Sequence, residues 1–77
     1  MTLALEFTVE PFVQGAPGPH VTAALDAAQA SGLEVDFGPF GTLVTGPDDK
    51  VLTTLDEVVR RALDAGATRV SVQLHRT

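Results

Sequence analysis

The chain has no cysteine, only two histidines, and five cations against ten carboxylates. Each scarcity excludes a class of protein. Without cysteine there is no disulfide framework, no thiolate nucleophile and no zinc ribbon, and His20 and His75 cannot build a structural metal site by themselves. The redox compartment is left open by the same absence. Lys50, Arg60, Arg61, Arg69 and Arg76 include a single adjacent basic pair, Arg60-Arg61, whereas phosphate backbones need clustered cations to release counterions. Nucleic acids and anionic membrane surfaces are therefore disfavoured as partners. Apolar runs are short, and the start Met1-Thr2-Leu3-Ala4-Leu5-Glu6 has neither a basic region nor a small-residue cleavage site. No signal peptide is expected, and the cytoplasm is the default location.

What remains is 77 residues, 44% hydrophobic, with seven glycines, five prolines and a net charge of −5. Residues 1–77 are read as one domain. A core this small buries about 60% of the unfolded surface and supplies ~3–5 kcal/mol, so domains of this length often need a staple, a metal or self-association. With disulfides excluded, an oligomer is expected.

Leu3, Leu5, Phe7 and Val9 alternate with Ala4, Glu6, Thr8 and Glu10, the period-2 pattern of a half-buried strand that Pro11 ends. After the turn-forming stretch Gln14 to Pro19, Val21, Ala24, Leu25 and Ala28 recur at helical spacing as far as Ser31-Gly32. Leu33 to Phe37 alternates again, breaks at Gly38-Pro39, and resumes from Phe40 to Thr45, which predicts a hairpin with a bulged corner at Gly38 to Gly41. Asp48 or Asp49 is expected to cap a second helix with the apolar stripe Leu52, Leu55, Val58, Val59, Ala62 and Leu63, ending at Gly66. Thr54-x-x-Glu57 also fits a capping box, which leaves a later start open. Val70, Val72 and Leu74 alternate with polar residues in a fourth strand.

The order is β-α-β-β-α-β. Right-handed crossovers place both helices on one face of a four-stranded antiparallel sheet, the α+β ferredoxin-like sandwich. The other face then carries Glu6, Thr8, Glu10, Glu34, Asp36, Ser71, Gln73 and His75, with Leu43 and Thr45. It is open in a single copy.

Few residues in this frame suggest catalysis. Val13-Gln14-Gly15 after the first strand brings acylphosphatases to mind, but their phosphate cradle needs a nearby arginine and none occurs before Arg60. Glu6, Glu10 and Asp36 share a face and could be read as an acid–base pair, yet alternating exposed carboxylates on a strand usually form a solvated face, and no nucleophile accompanies them. His20 is expected to be a surface residue or a local cap contact. The corner Gly38-Pro39-Phe40-Gly41-Thr42 is the least ordinary segment: its glycines and proline either expose backbone to a flat ligand or simply turn a bulged hairpin with Phe40 in the core.

Three stretches carry a resemblance: Glu6-Phe7-Thr8-Val9-Glu10-Pro11, the corner from Phe37 to Gly46, and Ala65-Gly66-Ala67-Thr68-Arg69-Val70. In this order and spacing they resemble the YkoF-like thiamine-binding family of small ferredoxin-like proteins. The resemblance implies a non-enzymatic cytoplasmic protein, without a cofactor, that binds thiamine or its hydroxymethylpyrimidine moiety in uptake or salvage and assembles into homodimers or homotetramers. Carried over by position, Gly38, Gly41 and Thr42 of the corner are its best-matched elements, followed by Thr8 and Glu10.

The ligand's chemistry provides a check. An aminopyrimidine is flat and carries both donor and acceptor groups, while the thiazolium of thiamine is cationic. Phe37 or Phe40 could stack, Thr42 or Thr8 could hydrogen-bond, and Glu10, Glu6 or Asp36 could oppose the cation. The acidic balance favours thiamine or the pyrimidine over thiamine diphosphate. The alternative is a structural or regulatory oligomerisation module with no small-molecule ligand.

Overall fold

The computed structural model describes residues 1–11, 18–38 and 41–77. The elements run β1 (Thr2–Glu10), α1 (Pro19–Ala30), β2 (Glu34–Gly38), β3 (Gly41–Pro47), α2 (Asp48–Asp64) and β4 (Arg69–Arg76). The strands form one antiparallel sheet in the order β2-β3-β1-β4. This is the ferredoxin-like α+β sandwich that the alternation of strand and helix periods predicts.

Leu3, Leu5, Phe7 and Val9 of β1 are buried on the helix side, where Val44, Val51, Val58 and Ala62 complete the centre of the core. From α1 come Val21, Ala24, Ala27 and Ala28. Three of these four are alanines, small enough to let α1 lie close to both α2 and the sheet. Pro19 occupies the first turn of α1, where its missing N–H costs no helical bond. The helix stops at Ser31, followed by Gly32 with φ +76°, the left-handed conformation that ends helices and that glycine adopts without a Cβ clash.

The second helix departs from expectation at its cap. Its N-cap residue is Pro47, without a side-chain cap, because β3 stays extended through Gly46-Pro47 and carries Asp48 into the first turn. There Asp48 keeps a favourable position at the positive end of the helix dipole and accepts a 3.0 Å hydrogen bond from Arg76 Nη1, tying the start of α2 to the end of β4. Nor does the helix start late: Thr54 is buried inside it and donates its hydroxyl to the Lys50 carbonyl at 2.7 Å.

Of the expected stripe, Val58 and Ala62 are buried and Leu55 and Val59 half-buried, but its two ends differ. The buried stripe runs Val51, Thr54, Val58 and Ala62, while Leu52 (46% exposed) and Leu63 (51%) lie outside it. At about 100° per residue, Leu52 and Leu63 sit well round the helix from Val51 and Val58. Thr54 can turn inward because the Lys50 carbonyl satisfies its hydroxyl.

The strand register composes the open face row by row. Gln73, Glu6, Leu43 and Asp36 form one cross-sheet row, and His75, Ala4, Thr45 and Glu34 another. This is the polar face read from the alternation. Ala4 is nonetheless buried, its small side chain sunk between longer neighbours.

Candidate functional site

A cavity of about 370 Å³ opens at the end of the sheet where β1 finishes and the β2–β3 corner turns. That volume lies in the range of small-molecule sites. Its lining comes from both faces of the sheet and from one helix. Phe37 and Thr42 face the helices, cross-strand neighbours of each other, with Thr42 also opposite Phe7. Thr8 and Glu10 point to the open side, with Gly38 and Gly41 beneath the corner. Val21 and Leu25 of α1, with Phe7 and Val9, make the apolar wall.

Six of the expected site residues, Thr8, Glu10, Phe37, Gly38, Gly41 and Thr42, therefore surround one cavity. Phe40, like Pro39 and the Val13-Gln14-Gly15 motif, lies outside the described residues. Of the three carboxylates considered for opposing a cation, Glu10 lines this cavity. Glu6 lines a shallower groove with Thr8, Ser71 and Gln73, and Asp36 lines neither.

Phe37 is 53% exposed despite its helix-side position, so a flat ligand can reach its ring. Thr42, by contrast, is 4% exposed, and among the described residues its hydroxyl has no hydrogen-bond partner. Gly41 has φ +156°, and a Cβ there would stand 3.2 Å from the Phe7 carbonyl oxygen and 3.4 Å from Thr8 Cγ2. The glycine thus lets the corner lie directly against β1.

The end of β1 is held from two sides. Thr68 donates its backbone N–H (2.8 Å) and its hydroxyl (3.3 Å) to the Glu10 carbonyl. His20 Nε2 donates to the next carbonyl, that of Pro11. His20 is buried and bonds the end of β1 rather than capping α1, so neither the surface position nor the local cap contact expected for it is found. Its ring lies against Gly18, where a Cβ would come within 2.7 Å of Cε1. Across the sheet Glu10 faces Arg69, with Nε 3.8 Å from Oε2.

Sequence reasoning missed His20, Val21, Leu25, Thr68 and Arg69 as surroundings of the site. Arg69 carried a signal, because it falls within the third stretch of family resemblance. Val21 and Leu25 carried none beyond helical periodicity, which cannot separate a core position from a cavity wall.

Glu6 and Asp36 occupy one row on the open face, separated by Leu43 on the intervening strand, about two strand spacings or ~9–10 Å of backbone. Among the described residues no three His, Asp or Glu side chains gather as a metal site. No helix among them is long and apolar enough to cross a membrane. Among the described residues the cavity offers an aromatic face, two hydroxyls and one carboxylate.

Residues 5–76 match the family model described as thiamine-binding protein, and the chain belongs to that family. Solved structures share its fold. A Bacillus cereus protein carrying a domain of unknown function, DUF77, is 25% identical with a TM-score of 0.76, covering 99% of this chain and 76% of its own. A Thermotoga maritima protein assigned to thiamine biosynthesis or salvage is 22% identical with a TM-score of 0.72, covering 97% and 81%. A hypothetical protein of Methanocaldococcus jannascii is 24% identical with a TM-score of 0.72, covering 99% and 81%. No curated protein matches the chain.

Proposed function

We propose that this protein binds thiamine or its hydroxymethylpyrimidine moiety without catalysing a reaction on it, and serves thiamine uptake or salvage in the cytoplasm as a homo-oligomer. The observation that carries the reading is the cavity lining: Phe37, Thr42, Thr8 and Glu10 around one space of about 370 Å³, in a chain that belongs to a thiamine-binding family. The pyrimidine stacks on Phe37, the Thr42 and Thr8 hydroxyls meet its ring nitrogens and amino group, and Glu10 opposes the thiazolium. The described lining contains no cation to neutralise a diphosphate, which favours the unphosphorylated ligand.

Support for self-association comes from apolar surface left over by folding. Val72 and Leu74 lie on the helix side of the edge strand β4 yet are about 40% exposed, and Leu52 and Leu63 add to the uncovered area. A chain of 8.0 kDa with this much exposed apolar side chain gains stability by covering it.

Calorimetric titration with thiamine, the hydroxymethylpyrimidine and thiamine diphosphate tests the ligand. Binding of either of the first two, tighter than the diphosphate, is expected, with a rise in Tm once ligand exceeds Kd. No heat and no Tm shift with any of them at millimolar concentration would refute it. Light scattering tests the assembly separately: a stable monomer at micromolar concentration contradicts the oligomer.

A further inference from the structure

We infer that Arg69, opposite Glu10 at the mouth of the cavity, is a specificity-determining residue: the Glu10–Arg69 pair sets how strongly the site prefers a cationic heteroaromatic ligand over a neutral one. The inference rests on the reading of the cavity as the ligand site and goes beyond it in assigning a role to Arg69.

Three observations carry it. Glu10 is the one ionised group in the described lining of the cavity, so the site's charge preference is concentrated in a single carboxylate. The backbone beneath that carboxylate is fixed by the β1–β4 ladder and by the two hydrogen bonds from Thr68, so its Cβ cannot drift to suit a ligand. Arg69 Nε stands 3.8 Å from Glu10 Oε2, within ion-pair reach but beyond a hydrogen bond.

That spacing has a specific consequence. Arg69 partly neutralises Glu10 without occupying its lone pairs, and among the described residues the carboxylate accepts no side-chain hydrogen bond. A cationic ring entering the cavity meets a carboxylate that is free to accept but already shares its field with a guanidinium. Arg69 thus weakens the attraction for the cation and keeps the site open to neutral ligands. Since both side chains are largely in water, at 72% and 48% exposure, the modulation is a matter of a few-fold rather than orders of magnitude.

The test is calorimetric titration of the wild type, Glu10→Gln and Arg69→Gln with thiamine, the neutral hydroxymethylpyrimidine and thiamine monophosphate, at low and moderate salt. Both substitutions are isosteric or shorter at exposed positions, and thermal melting checks that the fold is kept. Glu10→Gln should weaken thiamine about ten-fold and leave the neutral pyrimidine within two-fold. Arg69→Gln should tighten thiamine by about two- to five-fold, with the gain shrinking as salt rises. If Arg69→Gln instead weakens the monophosphate and leaves thiamine unchanged, Arg69 is a phosphate anchor and the inference is overturned. Thiamine binding indifferent to both substitutions also overturns it, while the ligand reading stands. If the wild type binds none of the three, the ligand reading itself fails and takes this inference with it.

Discussion

Thr68 holds the carbonyl oxygen of Glu10 with two donors, its backbone N–H at 2.8 Å and its hydroxyl at 3.3 Å. The residues are 58 positions apart, and the contact fastens the loop before β4 to the last residue of β1. One residue further on, His20 of α1 reaches the Pro11 carbonyl. Two successive carbonyls are thus held, one by the strand layer and one by the helix layer. The cavity mouth is built where those anchors meet, so Glu10 is presented from a fixed backbone.

The helix-layer anchor predicts a stability effect. His20→Ala removes the donor to the Pro11 carbonyl and empties a buried position, at a cost of about 1–2 kcal/mol. For a domain of this size that lowers Tm by about 5–15 °C. His20→Gln, which retains an N–H donor, should recover part of the loss. Thermal melting followed by circular dichroism measures both, and an unchanged Tm for His20→Ala would show that the contact carries no stability.

The sequence made most of the fold legible because its strands alternate cleanly and glycines at Gly32 and Gly38 mark the ends of α1 and β2. The corner from Gly38 to Thr42 leaves a ligand contact and a bulged hairpin both open in the sequence, and Gly38, Gly41 and Thr42 line the cavity. Arg69 and Thr68 were not legible as neighbours of Glu10, since that pairing depends on the register between the first and last strands. The two ends of the α2 stripe were misread for a related reason. Leu52 and Leu63 are the stronger hydrophobes, but Thr54 goes inward, and the hydroxyl bond to Lys50 that permits it is invisible to a hydrophobicity pattern.

Gly41 and Gly32 both have positive φ, but they should respond differently to alanine. At Gly32 a Cβ meets nothing within 4 Å, so Gly32→Ala costs only the conformational term, about 1 kcal/mol, and leaves ligand affinity unchanged. At Gly41 the Cβ presses on the Phe7 carbonyl oxygen at 3.2 Å, next to Thr8, and Gly41→Ala should cost about 1–3 kcal/mol and also weaken the ligand. Parallel melting curves and titrations separate the two. Equal effects on affinity would place the ligand away from the corner.

Thr42→Val replaces the hydroxyl of a buried residue by a methyl of similar shape, in a β-branched side chain that suits a strand. The fold should survive with Tm within a few degrees, while affinity for the pyrimidine falls about two- to ten-fold through loss of one hydrogen bond. Phe37→Ala should produce the same pattern more strongly, because its ring is half exposed and contributes more to the cavity wall than to the core. Titration of both variants reads the outcome, and unchanged affinity in both would remove the helix-side wall from the site.

The orientation of α2 can be tested without any ligand. Val58 is fully buried at the centre of the core, so Val58→Ala should destabilise by about 2 kcal/mol through lost burial and a residual void. Leu63 is the larger side chain and belongs to the stripe that hydrophobicity alone selects, yet it is half exposed, so Leu63→Lys should change the stability of a single copy by no more than about 0.5 kcal/mol. Denaturant unfolding at several protein concentrations distinguishes the packing of one copy from that of an assembly. A cost for Leu63→Lys that grows with protein concentration means that a second copy covers this flank of α2. A large cost independent of concentration would mean that the helix is rotated from the orientation described, with Leu63 rather than Val58 turned into the core.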